Sequence, residues 1–205
     1  SSPASASLIA RTVRIPDPAG ITAPLNEKPS TVLPPEETVN PASAAAPPDE
    51  PLTVAPLILN WKPALGIIYA PAKNRLFFSY GVGKAFEIFN KKKIALNGKR
   101  KDNKETIALI NSDKTPVEIS DIYKKFKVTK IKKMSSSLKF CTLAAGEADI
   151  YAAKARACEW DIAAGHAILE HAGGSVTDHE EKEFLYGKEN YKNLPIIAKR
   201  EKFKI

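Results

Sequence analysis

The chain has 205 residues, a formal net charge of +8, 43% hydrophobic residues and 8% aromatic residues, enough for one domain with a modest core. This composition excludes a collagen-like chain, a small disulfide scaffold and a wholly disordered polypeptide. The opening residues lack the basic-then-apolar order of a secretory signal, and no apolar run is long enough for a membrane helix. Cys141 and Cys158 do not have the spacing of a disulfide framework or a zinc site. We therefore expect a soluble, cytoplasmic protein.

Two compositions divide the chain. Residues 1–57 contain 12 of the 16 prolines, one glycine and no aromatic residue. Prolines remove backbone donors and favour extended neighbours, so this stretch predicts irregular or polyproline-like chain. We interpret residues 1–51 as a Pro/Ala-rich linker or appendage and residues 52–205 as the folded domain.

Strand-like runs come first in the folded part. Leu65–Tyr69 and Arg75–Tyr80 are rich in β-branched and aromatic residues, and the loop between them, Ala70–Asn74, contains a proline and an asparagine. They predict a hairpin. Further strands are expected at Ala85–Phe89, which alternates, and at Thr106–Ile110, which is apolar enough to be buried.

A basic stretch follows the hairpin. Residues 84–133 contain 15 basic and 6 acidic residues, including Lys91–Lys93 and Lys99–Lys101. Clustered cations attract phosphorylated ligands or nucleic acid, but a lysine run is more often a solvated surface. No aromatic residue lies within the two basic triplets and no nucleic-acid-binding motif is present. We therefore predict a solvated surface, and the sequence gives no clear signal for a nucleic-acid or membrane partner.

Two helices are predicted near the end of the chain. Ser135 or Ser136 can cap a helix over residues 138–144, which Gly146 ends. A short strand is expected at Ala148–Tyr151. A second helix is expected over residues 162–171, with Gly173-Gly174 supplying the left-handed conformation at its end.

Asp161 stands where the second helix is expected to begin. As an N-cap, its carboxylate would accept free backbone N–H groups of the helix. Alternatively, an ionised carboxylate at a helix N-terminus could hold Mg²⁺, which prefers oxygen ligands. The three histidines, His166, His171 and His179, are not paired with a nucleophile, so we expect surface or half-buried side chains without a catalytic role.

Longer motifs bear on this choice. The run E-W-D-I-A-A-G-H-A-I-L-E-H-A-G-G, residues 159–174, resembles the signature of the inositol monophosphatase superfamily. Several other stretches resemble the bacterial 3'(2'),5'-bisphosphate nucleotidase branch of that superfamily, and the likeness spans roughly residues 52–198. These stretches are Pro63–Pro71, Ser136–Cys141, Ala145–Tyr151 and Tyr191–Pro195.

The resemblance implies an α/β fold of the layered sugar-phosphatase (αβαβα) type. It also implies Mg²⁺-dependent hydrolysis of a phosphomonoester such as 3'-phosphoadenosine 5'-phosphate. By motif position, Asp161 would be a metal ligand and, with Ser136 and Lys139, would contact the substrate. From the residues alone, Ser136 could equally cap a helix and Lys139 could be solvated. Trp160 is expected in the core.

The sequence also departs from the family pattern. The family has two further acidic motifs, G-E-x-x-E and D-P-(L/I)-D-G-(T/S), which supply most of its metal ligands, and neither is present here. Asp17-Pro18 has no second aspartate after it. The branch's Y-P-R-x-G-P-T loop is replaced by Y-A-A-K-A-R-A, residues 151–157, in which Lys154 and Arg156 are displaced from the basic position.

Two hypotheses follow. The chain is a phosphatase that takes additional carboxylates from a partner chain or from Glu36, Glu37, Asp49 and Glu50. Alternatively, it is a catalytically inactive remnant that binds anions. Because the domain resembles only the later part of the family fold, we expect exposed apolar surface and homo-oligomers, and a compact monomer in size-exclusion chromatography would contradict this.

Overall fold

The first sheet is fully antiparallel and its six strands follow one another in chain order. The structure is a computed structural model that describes residues 6–8, 52–100, 104–201 and 203. The strands are β1 (Ala6–Leu8), β2 (Thr53–Leu59), β3 (Lys62–Ala70), β4 (Arg75–Ser79), β5 (Ala85–Phe89) and β6 (Lys92–Ala95).

The predicted hairpin is confirmed as β3 and β4, in which Ile67 is opposite Phe78. Residues 71–73 form a single 3-10 turn that ends at Asn74, whose φ is 49°. Asparagine tolerates this left-handed conformation better than most residues, so it closes the turn. The strand predicted at residues 85–89 is confirmed as β5.

The second sheet is mixed and has the order β10-β11-β9-β7-β8. Within it, β7 runs parallel to β8 and β9, and the other pairs are antiparallel. The predicted buried strand is confirmed as β7, whereas β9 lies two residues later than predicted. The strands are β7 (Ile107–Ile110), β8 (Lys130–Lys133), β9 (Ile150–Ala153), β10 (Ser175–Thr177) and β11 (Ile196–Lys199).

Within the described ranges, three helices complete the layers: α1 (Val117–Lys125), α2 (Leu138–Ala144) and α3 (Glu159–His171). Helix α3 packs on β2 to β5 of the first sheet, while α2 packs on α3, β9 and β11. On the opposite face of the second sheet, Ile150 and Ala152 share a cluster with Ile119 and Tyr123 of α1. The order is therefore sheet, helices, sheet, helix, which confirms the layered α/β architecture.

The predicted irregular segment falls almost entirely outside the described residues. Within it, Ala6–Leu8 was expected to be irregular but forms β1, which pairs with the edge of β2. The sequence patterns also missed α1, β2, β6, β8, β10 and β11. Several of these strands are short and expose mostly lysine, so they carry little apolar periodicity.

One residue of the basic stretch is not solvated. Arg100 is largely buried and its Nη1 lies 2.6 Å from Oδ2 of Asp149, which is 1% exposed. The same carboxylate also accepts hydrogen bonds from the Arg200 Nε and the Ile107 backbone N–H. The prediction of a solvated surface is wrong for Arg100, while Lys91–Lys93 are exposed as predicted and Lys101 lies outside the described residues.

The outer face of the first sheet is apolar and solvent-accessible. Ile67, Tyr69 and Tyr80 are exposed there, and Phe78 and Phe86 stack beside Tyr80. Among the helices of the described ranges, none has the length and apolar character needed to span a bilayer.

Close packing at one glycine makes a testable prediction. A Cβ built on Gly165 of α3 would lie 2.7 Å from the Phe140 ring of α2. We expect Gly165→Ala to lower the free energy of unfolding by about 1–3 kcal/mol through overpacking. In chemical denaturation, Phe140→Leu should recover part of this loss in the double variant. Simple additivity of the two single losses would contradict the proposed contact.

Candidate functional site

A cavity of about 350 Å³ lies where α2 and α3 begin, beside β9 and β2. Its walls are mostly apolar, with a few polar and charged side chains. The polar and charged lining residues are Asn111, Ser136, Ser137, Lys139, Tyr151, Lys154, Arg156, Trp160, Asp161 and Asn193. The structure thus brings together the three predicted site residues, Ser136, Lys139 and Asp161, at one cavity.

Asp161 is not the N-cap of α3 but its third residue, because the helix begins at Glu159. Cys158 is the N-cap, and its backbone N–H donates to Asp161 Oδ2 at 2.8 Å. A carboxylate at this position satisfies one free donor and interacts favourably with the helix dipole. The predicted start of this helix is therefore wrong by three residues, although Asp161 does cap the helix.

Two serines lie at the start of α2, and one of them connects it to α3. Ser137 Oγ donates a hydrogen bond to the Asp161 carbonyl oxygen. Ser136 has a φ of 65°, and its Oγ accepts from the Leu138 N–H at 3.4 Å, a long contact. The N-cap position of α2 is Ser137, without a side-chain cap, so the prediction that Ser135 or Ser136 would be the N-cap is wrong.

Lys139 is buried, with 3% of its surface exposed, so the alternative of a solvated helix lysine is wrong. Its Nζ donates to the carbonyl oxygens of Ser136 at 2.7 Å and of Met134 at 3.3 Å. The ammonium also lies 4.9 Å from the centre of the Tyr151 ring. Burial, with a smaller contribution from the nearby positive charge of Arg156, lowers the pKa of Lys139 to about 8.

Beside Lys139, the cavity wall is formed by a tyrosine and an arginine. Tyr151 OH accepts a hydrogen bond from Asn111 Nδ2 at 2.9 Å, and burial raises the pKa of this tyrosine. Arg156 is exposed. Its positive charge contributes to the lowered pKa of Lys139 and offsets part of the rise in the pKa of Tyr151. Lys154 points to the surface, where it pairs with Glu118 at 2.9 Å.

The histidines lie away from the cavity lining. His166 and His171 are buried, so the expectation of surface or half-buried side chains is wrong for both, while His179 is half-buried as expected. His166 Nδ1 is 2.9 Å from Tyr186 OH, and burial lowers the pKa of His166 to about 3. His171 Nδ1 accepts the Gly81 N–H at 3.2 Å. Both imidazoles therefore serve as neutral core hydrogen-bonding groups.

Some lining residues were missed or misplaced by the sequence patterns. Trp160 was expected in the core but is half-exposed at the cavity, tilted against Tyr191 with 5.9 Å between ring centres. Asn111 and Asn193 carry no sequence signal, because each reaches the cavity through the tertiary fold. Glu159, beside Asp161, is structural: its buried carboxylate accepts the backbone N–H groups of Gly187 and Lys188.

The donor set of the cavity decides whether it can hold Mg²⁺. Mg²⁺ needs several oxygens in near-octahedral geometry. Among the described lining residues, Asp161 is the only carboxylate, and one of its oxygens is already hydrogen-bonded. The described part of the chain has no group of three or more His, Cys, Asp or Glu side chains suited to a metal. These residues alone do not fit a magnesium site.

This cavity between helix N-termini, set in a layered α/β fold, defines the class of a sugar-phosphatase-like protein. The model of the inositol monophosphatase family matches residues 53–202, and the chain belongs to that family. The resemblance seen in the sequence is thereby confirmed.

Relatives and solved structures refine the comparison. The chain is 41% identical over 117 residues to the 3'(2'),5'-bisphosphate nucleotidase CysQ of Buchnera aphidicola, covering 56% of this chain and 42% of that protein. It is 33% identical over 132 residues to CysQ of Escherichia coli, covering 63% of this chain and 52% of that protein. The crystal structure of CysQ from Bacteroides thetaiotaomicron superposes with a TM-score of 0.63 at 28% identity. The superposition covers 74% of this chain and 63% of that one. The chain spans about half the length of these curated relatives.

The buried ammonium makes a prediction about stability. Because the pKa of Lys139 is lower in the folded than in the unfolded chain, its charged form disfavours folding below about pH 8. Lys139→Met should therefore unfold at a higher denaturant concentration than the parent chain at pH 7, with a difference of up to about 3 kcal/mol. The difference should shrink between pH 8 and 10.5, as the folded parent loses this proton.

Lys132→Met, on an exposed position of β8, is the matched control and should show no such pH-dependent difference. A stability difference between Lys139→Met and the parent that stays constant with pH would contradict this assignment.

Proposed function

We propose that the cavity is the substrate pocket of a phosphomonoesterase of the 3'(2'),5'-bisphosphate nucleotidase type, with 3'-phosphoadenosine 5'-phosphate as its ligand. The observation that carries the proposal is that Lys139, Ser136 and Asp161, identified by motif, line one cavity together with Arg156. The similarity to CysQ proteins supports the choice of a nucleotide carrying two phosphates.

The walls suit the two parts of such a ligand. Lys139 and Arg156 provide positive charge for phosphate. Trp160, with Leu194 and Ile196 nearby, provides an aromatic and apolar surface on which a base can stack. A bare inositol phosphate would use the cations but not the apolar wall, so we expect it to bind more weakly.

Hydrolysis requires residues beyond those described at the cavity. The family resemblance implies Mg²⁺, and Asp161 would need further carboxylates to bind it. The candidates Glu36, Glu37, Asp49 and Glu50 lie outside the described residues, and a partner chain is another source. The apolar outer face of the first sheet supports the expectation of homo-oligomers. The free cysteines Cys141 and Cys158 agree with a cytoplasmic location.

A second candidate function is an anion-binding module without turnover. It is favoured by the single carboxylate among the described lining residues. The two candidates share the ligand and differ only in whether phosphate is released.

Trp160 gives a direct test of the ligand. The chain has two tryptophans, so Trp61→Phe leaves Trp160 as the sole indole reporter. We expect 3'-phosphoadenosine 5'-phosphate to change the fluorescence of this variant in a saturable way, and inositol 1-phosphate to do so only at higher concentration. Loss of the ring in Trp160→Ala should weaken nucleotide binding about tenfold or more in calorimetry. Unchanged affinity in Trp160→Ala would contradict stacking at this wall.

Phosphate release separates the two functions. We measure release from 3'-phosphoadenosine 5'-phosphate with and without Mg²⁺, for the parent chain and for Asp161→Asn. Metal-dependent release that disappears in the variant supports the phosphatase. Binding without release supports the module, and absence of both contradicts the proposed function.

A further inference from the structure

The charged groups at the cavity are mostly cationic. Among the residues that the structure describes, Lys139, Lys154 and Arg156 line it, against one carboxylate, that of Asp161. That carboxylate is held by the Cys158 N–H at 2.8 Å, in the first turn of α3. It therefore satisfies one backbone donor at the start of α3 within its own chain, and it places a negative charge beside the helix N-terminus.

Lys139 is the buried cation of this group. An ammonium has three N–H donors, and two of them are used by the carbonyl oxygens of Ser136 and Met134. No carboxylate of the described residues forms an ion pair with Lys139, although only 3% of the surface of this residue is exposed. A buried charge without a counter-ion destabilises the folded protein, so a bound anion would reduce the free-energy penalty of burying the Lys139 ammonium.

Arg156 is placed to share that anion. It lines the same cavity as Lys139 and Tyr151. Within the described ranges, its guanidinium makes no ion pair, unlike that of Lys154, which pairs with Glu118. A guanidinium presents parallel donors to a phosphate, and an ammonium adds a compact charge.

We propose that the cavity binds a phosphate group directly through Lys139 and Arg156, without a metal ion, and that Asp161 acts as a helix cap rather than as a ligand contact. This inference rests on the proposed function, because it concerns the same cavity and nucleotide. It separates recognition, which the described residues can perform, from hydrolysis, for which their donor set is insufficient.

The test is calorimetric titration of the full chain with 3'-phosphoadenosine 5'-phosphate in excess EDTA and in Mg²⁺. We expect dissociation constants that agree within about threefold in the two buffers. Lys139→Met and Arg156→Gln should each weaken binding about tenfold or more in both buffers. Arg156 is exposed, so its substitution does not endanger folding, and Lys132→Met is the charge-matched control that should bind like the parent.

Asp161→Asn gives the sharpest contrast, because only metal-mediated binding predicts a loss of affinity in this variant. The asparagine oxygen can still accept the Cys158 N–H, so the helix cap is retained. Without a metal, removing a negative charge near a phosphate leaves the affinity equal or makes it tighter. If Asp161 held a metal that contacts the phosphate, the same change would weaken binding.

Binding that needs Mg²⁺ and is lost in EDTA, or a tenfold loss in Asp161→Asn, would overturn this inference while leaving the proposed function intact. Absence of binding in both buffers would overturn the proposed function and this inference together.

Discussion

Helix α3 approaches its neighbours so closely that two glycines are needed at the contacts. A Cβ on Gly66 of β3 would lie 2.2 Å from the Ala164 carbonyl oxygen, so the strand and the helix meet backbone to backbone. On another face of the helix, a Cβ on Gly165 would lie 2.7 Å from the Phe140 ring of α2. Because α3 is fixed on both sides, its first turn is fixed as well. Trp160 and Asp161 at this turn, together with α2, thereby define one side of the cavity.

The chemistry of the cavity follows from which charges that geometry leaves uncompensated. Glu159, the first residue of α3, turns away from the cavity and accepts hydrogen bonds from a distant loop. Asp161 caps its own helix. What remains is positive: Lys139, which is buried and has no carboxylate partner among the described residues, and Arg156 at the surface. Such a site favours a dianion over a cation, which is why recognition of phosphate and binding of Mg²⁺ place different demands on this chain.

The sequence predicted features set by local chemistry and missed those set by tertiary contacts. The β3–β4 hairpin was predictable because its strands are β-branched or aromatic and Asn74 suits the turn. The start of α3 was placed too late, because a cysteine N-cap has no recognised signal. The burial of Lys139 was missed because a helix lysine is usually solvated, whereas here α2 is packed against α3, β9 and β11. Motif similarity found the cavity residues where periodicity did not.

A crystal structure of the chain with 3'-phosphoadenosine 5'-phosphate and Mn²⁺ tests the central claim most directly, since Mn²⁺ takes oxygen ligands as Mg²⁺ does and is visible by anomalous scattering. The account predicts a phosphate oxygen within hydrogen-bond distance of Lys139 Nζ, with the Asp161 carboxylate still on the Cys158 N–H and no anomalous peak beside it. An anomalous peak bridging Asp161 and the phosphate would contradict the account.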